Sequence, residues 1–160
     1  SRVWKSDQRI MSYGAIDELN SSLGIALSLE LDSEIKDILI KLQNDLFIVG
    51  SDLANPDMSD NKIRTTKEMI IFLEQKIDLF EPQLTPLTSF ILPGGTLLAS
   101  ILHLSRTISR RSETYVVALS QNEEINTNAT IYLNRLSDLM FILARVINHR
   151  KNIKDILWKP

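Results

Sequence analysis

The chain has 160 residues, of which 44% are hydrophobic, and a formal net charge of -2. That length supports one domain with a substantial core, and so small a charge offers no broad attraction for nucleic acid. The absence of cysteine excludes a disulfide framework or a thiolate metal site and fits a cytoplasmic setting; no apolar run reaches the roughly 18 residues of a membrane span, and no signal peptide is visible.

Helical periodicity recurs along the chain, with glycine and proline falling mostly between the periodic segments. A first helix is predicted over about 13–29, with Ile16, Leu19, Leu23, Ala26 and Leu27 on one stripe. A second begins near Ser33, carries Ile35, Ile38, Leu39, Leu42, Leu46, Val49 and Leu53 at amphipathic spacing, and ends before Asn55 and Pro56. "TTKE" at Thr65 to Glu68 reads as a capping box opening a third helix through Met69, Leu73, Ile77 and Phe80, bounded by Pro82 and Pro86. "TSFILPGG" is a loop, a fourth helix starts near Thr96, and a fifth covers about 130–150 with Tyr132, Leu136, Leu139, Leu143 and Val146 inside. Helices joined by short connections predict an all-α, five-helix up-and-down bundle in a single domain over 1–160.

The fourth helix carries the most unusual segment, "HLSRTISRRSET". At 100° per residue, His103, Arg106, Arg110 and Glu113 share an arc of about 80°, whereas Leu97, Ile101, Leu104, Ile108 and Tyr115 gather on nearly the opposite side as the predicted core face. Arg111 points about 100° away from Arg110. Such a charged face is either a solvated surface, with Arg110 to Glu113 as an i,i+3 pair, or a site for an anion such as a phosphate chain, which planar arginine forks bind well. Second faces on the first helix (Asp17, Ser21, Gly24, Ser28) and the last (Asn134, Asp138, Phe141, Arg145) are either subunit contacts or scattered surface apolars with satisfied ion pairs. No Glu-x-x-His pair, His-Glu-x-x-His helix or Walker loop is present, so a di-iron, zinc-hydrolase or P-loop reading has no support.

The strings "RVWKSDQRIMSYGAIDELNSSLG", "LQNDLFIVGSDLA", "FILPGG", "HLSRTISRRSE" and "YLNRLSDLMFILAR", in this order and spacing, resemble the PduO-type ATP:cob(I)alamin adenosyltransferases over nearly the whole chain. The resemblance implies a bundle that is ferritin-like in appearance and assembles as a homotrimer with sites between subunits. It implies transfer of the 5′-deoxyadenosyl group of ATP to cobalt(I) of cobalamin, with release of triphosphate and Mg²⁺ as a helper ion of unknown protein ligands. By motif position, Arg110 resembles the principal phosphate-side arginine, Glu113 a group near ATP and metal, Asn134 an ATP-contacting asparagine, and Lys5 a phosphate-contacting lysine. Asp17 and Arg106 resemble an inter-subunit charge pair, and Phe90 the aromatic that closes the lower face of cobalamin. A reductase and an adenosylcobalamin-dependent mutase are the implied partners. Family members carry a Thr/Gly/Asp-rich ATP loop upstream of the "RVxK" string that this sequence does not contain, so either it is missing before residue 1 or the chain is incomplete as an enzyme. Two other functions compete: a non-enzymatic cobalamin or nucleotide carrier or sensor on the same bundle, and a plain helical oligomerisation module.

Overall fold

The computed structural model describes residues 7–160. Among the described residues there are five helices, α1 (Gln8–Leu27), α2 (Ser33–Ala54), α3 (Lys67–Phe80), α4 (Leu97–Ser120) and α5 (Thr127–Arg150), with one 3-10 turn at Glu81–Gln83. Among the described residues the only β pairing is an isolated antiparallel bridge between Ile91 and Leu157. Short connections at 28–32 and 121–126 fold α2 back on α1 and α5 back on α4. α4 packs on α1 and α5, α1 on α2, and α3 lies along α5.

Local chemistry sets the helix ends. Asp7 accepts from the Arg9 amide at 2.8 Å, so α1 starts five residues before the expected Tyr13. The extra turn lacks an apolar stripe because its inward positions are polar. Arg9 is buried and donates to the Leu53 carbonyl at 2.6 Å and to Glu123, while buried Ser12 bonds back to Gln8. Asn126 caps α5, which therefore begins at Thr127 rather than near 130.

The capping box of α3 is shifted by one residue from the sequence expectation. Thr66, not Thr65, is the N-cap, accepting from the Met69 amide at 3.3 Å. Thr65 lies one residue before the cap, its N–H donating to the Asp52 carboxylate at 2.8 Å. Buried Asp52 also receives Arg64 at 2.8 Å and Asn126 at 2.9 Å. It thus ties the end of α2, the approach to α3 and the cap of α5 into one polar knot.

The apolar stripes of α1 and α2 form the core as expected, with Leu19, Leu23, Leu39, Leu42, Leu46, Val49 and Leu53 fully buried and Leu27 only partly so. The expected core face of α4 requires correction. Leu104 is 53% exposed and Leu97 is exposed as well, while Ile108 is buried and Ile101 packs against the core as expected; the rest of the buried face runs through Leu98, Leu102, Ser105, Ser109, Ser112, Val116 and Leu119. Serines are invisible to a search for hydrophobic periodicity, yet their small side chains admit neighbouring helices and satisfy themselves there. Ser105 Oγ lies 2.8 Å from Ser22 Oγ of α1, and Ser109 donates to the Leu133 carbonyl of α5 at 2.7 Å. Both the arginine face and the Leu97–Leu104 face therefore flank the true seam and remain available.

Candidate active site

The arginine face of α4 lies beside α5. Arg106 stands half-buried with its guanidinium 6.0 Å from the Phe141 ring centroid, and its Nε is buried without a hydrogen-bond partner among the described residues. Burial, and after it the charge of Arg110 one turn on, hold the Arg106 guanidinium below the ordinary arginine value. Two like charges are thus stacked with no carboxylate between them, an arrangement that costs energy unless an anion arrives. Arg110 itself is exposed.

Glu113 does not engage Arg110 as an i,i+3 pair. It accepts from Asn134 Nδ2 at 3.1 Å, so two of the expected site residues meet across the α4–α5 contact. Arg111 turns the other way and pairs with Glu18 of α1, in keeping with the 100° rotation between adjacent helical residues. His103, expected on the charged face, is 3% exposed. It packs edge-on against Phe141 at 6.0 Å, and burial, then Arg106, push its pKa down while Asp155 partly offsets them.

Asp17 is exposed on the opposite flank of α1. There it lines an apolar groove of about 380 Å³ with Tyr13, Gly14, Phe47 and Gly50, and Phe47 is 73% exposed. Asp17 and Arg106 are not joined within the chain. Phe90 is 79% exposed in the loop that precedes Gly94 and Gly95. That loop is moored to α5: buried Asn148 accepts from the Thr96 amide at 2.9 Å and donates to the Gly94 carbonyl at 2.9 Å. Gly95 has φ +108, and a Cβ there would lie 2.3 Å from the Asn148 amide, so "PGG" is a mooring as well as a turn. Lys5 lies outside the described residues.

Arg145 was expected on a subunit-contacting face of α5. It is instead buried within the chain, donating to Asp155 at 3.1 Å and to the Thr85 carbonyl at 2.7 Å. With Phe141, Asp138, Arg135 and the 84–87 loop it walls a cleft of about 890 Å³. The role of the C-terminal tail was not legible in the sequence, since one acid and one tryptophan after a helix end carry no periodic signal. Among the described residues no group of three histidine, aspartate or glutamate side chains could hold a metal ion, and no helix is long and apolar enough to cross a membrane.

A half-buried Arg106 one turn from an exposed Arg110, the Asn134–Glu113 contact beside them, an aromatic on a moored loop and an adjacent cleft make up the candidate site of this helical bundle. The sequence profile described as cobalamin adenosyltransferase matches residues 1–147. The chain is 46% identical to a corrinoid adenosyltransferase of Bacillus subtilis, covering 99% of this chain and 83% of that protein. It is 42% identical to one from Mycobacterium leprae, covering 100% and 87%. Among solved structures, a phenylalanine-to-alanine variant of the PduO-type ATP:corrinoid adenosyltransferase from Lactobacillus reuteri, complexed with cobalamin and ATP, superimposes with a TM-score of 0.91 at 38% identity, covering 99% of this chain and 90% of that one. An arginine-to-lysine variant of the same enzyme complexed with ATP gives 0.90 at 39%, covering 98% and 90%. The chain belongs to the cobalamin adenosyltransferase family, and it is an enzyme of corrinoid adenosylation rather than a carrier or a bare oligomerisation module.

Proposed function

We propose that Arg106 and Arg110 receive the triphosphate of ATP while Phe90 faces the corrin, so that C5′ of ATP is presented to cobalt(I). The observation that carries this assignment is the uncompensated Arg106–Arg110 stack, with a buried Arg106 Nε lacking a partner. In the reaction the electron pair of cobalt(I) forms the Co–C5′ bond as the C5′–O bond breaks, and the departing pair stays on the triphosphate. No proton is moved, so no general base is required. The work left to the protein is positioning and stabilisation of charge on the leaving group. Arginine forks suit that task because they meet phosphate oxygens in pairs.

Mg²⁺ fits as an ion carried mainly by phosphate oxygens and water, with Glu113 the carboxylate nearest the arginine stack along α4; when bound it would share the neutralisation of the leaving triphosphate. Glu113 spends one oxygen on Asn134 and keeps the other free. The reading also places the sites in a homotrimer, with Asp17 of one subunit supplying the charge that Arg106 lacks, and leaves delivery of cobalt(I) to a reductase and use of the product to a mutase.

The test is an anaerobic spectral assay with ATP, Mg²⁺ and chemically reduced cobalamin. Growth of the alkylcobalt spectrum, abolished by Arg110→Ala, is expected. Full retention of turnover in Arg110→Ala would move the triphosphate elsewhere. For Phe90, the expected signature of Phe90→Ala is a larger loss when the assay starts from cobalt(II) than from cobalt(I), because an apolar ring on the lower face keeps water off the metal during reduction.

A further inference from the structure

The core does not fix Phe90, whose side chain is largely in solvent. The C-terminal tail does. At the end of α5, the Asn152 amide bonds to the His149 carbonyl at 3.0 Å and the Ile153 amide to the Asn148 carbonyl at 2.9 Å. Asn152 has φ 58, the left-handed residue that such a helix end requires. The chain is thereby turned back along the 84–92 loop. There the Leu92 amide donates to the Ile156 carbonyl at 2.8 Å and the Trp158 amide to the Phe90 carbonyl at 2.8 Å, and the Trp158 ring meets Phe90 edge-on at 6.3 Å.

Two main-chain bonds between exposed segments are marginal by themselves. Something buried must hold the segments side by side, and Arg145 is so placed. It is 6% exposed, its Nε reaches Asp155 of the tail and its Nη2 reaches the Thr85 carbonyl of the loop. A single rigid fork thus spans both partners. The same guanidinium lies 6.0 Å from the Phe141 centroid, the ring that also meets Arg106.

We propose that Arg145 is a positioning residue for adenosyl transfer: by clamping Asp155 to Thr85 it docks the tail on the loop and so sets the Phe90 ring. This rests on the role given to Phe90 above. Amide exchange at Leu92 and Trp158 reads the docking directly, and the ratio of cobalt(II)-started to cobalt(I)-started rates reads its use. In Asp155→Ala, whose site is half-buried and lies in the tail beyond α5, exchange at both amides should quicken roughly 10-fold while amides inside the helices keep their protection, and the rate ratio should fall in the same direction as in Phe90→Ala. Arg145→Lys keeps the charge without the fork and should fall between wild type and Asp155→Ala in both readouts. Unchanged exchange in Asp155→Ala overturns the clamp. Faster exchange with an unchanged ratio, when Phe90→Ala does shift it, overturns the positioning role. If Phe90→Ala itself leaves the ratio unchanged, the reading of Phe90 fails, and exchange alone decides whether the clamp sets the loop.

Discussion

Asn134 of α5 donates to Glu113 of α4 at 3.1 Å, one turn beyond Arg110, so the polar rim of the arginine stack is a contact between two helices rather than a property of either. Replacing the amide by a carboxylate turns that contact into like-charge repulsion, while removing it only frees Glu113. Asn134→Asp should therefore raise the KM for ATP on the order of 10-fold more than Asn134→Ala, a difference of about 1.4 kcal/mol. Initial rates in the spectral assay at varied ATP measure it; equal effects would mean that the bond does not organise the nucleotide side.

The adjacent arginines separate in the same assay. Arg111 is engaged with Glu18 on α1, and both side chains are about half exposed, so Arg111→Ala should cost roughly 0 to 1 kcal/mol of stability and little activity. In the proposed site Arg110→Ala would remove a charge-assisted contact to the leaving group, worth about 2 to 4 kcal/mol, or some 30- to 1,000-fold in rate. Comparable rate losses in the two variants would contradict the geometry.

Most of the bundle was legible because α2, α3 and the body of α1 and α5 follow a simple rule in which large apolar residues recur at helical spacing and become buried. α4 broke the rule. Its seam carries three buried serines, and the more conspicuous Leu97 and Leu104 flank that seam while Ile108 lies within it, so periodicity alone chose a face that is only partly the buried one. The start of α1 was missed for a related reason, since polar Arg9 and Ser12 occupy inward positions. At the site, angular arithmetic on one helix was enough to set Arg106 and Arg110 apart from Arg111. The Asn134–Glu113 bond and the Arg145 clamp each need two elements in register, which spacing within one helix cannot encode.

Gly95 tests the mooring of the Phe90 loop. At φ +108, with Asn148 atoms 2.3 Å from where a Cβ would stand, Gly95→Ala must both strain the backbone and displace an amide that holds Thr96 and Gly94. A cost of about 2 to 4 kcal/mol is expected, equivalent to a fall of several degrees in Tm. Gly94→Ala, where a Cβ meets nothing within 4 Å, is the comparison. Calorimetry giving the same Tm for both variants would dismiss the mooring.

His103 confers a pH dependence whose sign follows from its burial. Its pKa is lowered in the folded protein, first by burial and then by Arg106, so the unfolded chain binds the proton more readily. Stability from this group is complete above the unfolded value of about 6.5 and declines as pH falls below it, by at most about 1.4 kcal/mol per pH unit until the folded pKa is passed. Denaturant unfolding between pH 7 and 5 should show wild type losing stability and His103→Gln losing less. Parallel curves would assign the acid sensitivity to other groups.

Arg106 is a half-buried guanidinium with no acidic partner among the described residues, and Asp17 is an exposed carboxylate at the edge of an apolar groove beside Phe47. Each supplies what the other lacks, yet they stand on different flanks of one chain, so a pairing between them needs a second subunit. If they meet in a partly buried interface, removing either partner strands a charge at a cost of about 3 to 5 kcal/mol, against roughly 0 to 1 kcal/mol for an exposed pair. Asp17→Arg and Arg106→Asp should each weaken the proposed trimer and the activity, because each sets like charges against one another. The double exchange should recover part of both, since the attraction returns with its sign reversed. Recovery of assembly should exceed recovery of turnover, because an aspartate at position 106 cannot serve the triphosphate. Sedimentation analysis and the spectral assay on the three variants measure these quantities; single exchanges that sediment as wild type with full activity would leave Arg106 a solvated residue of the helix surface.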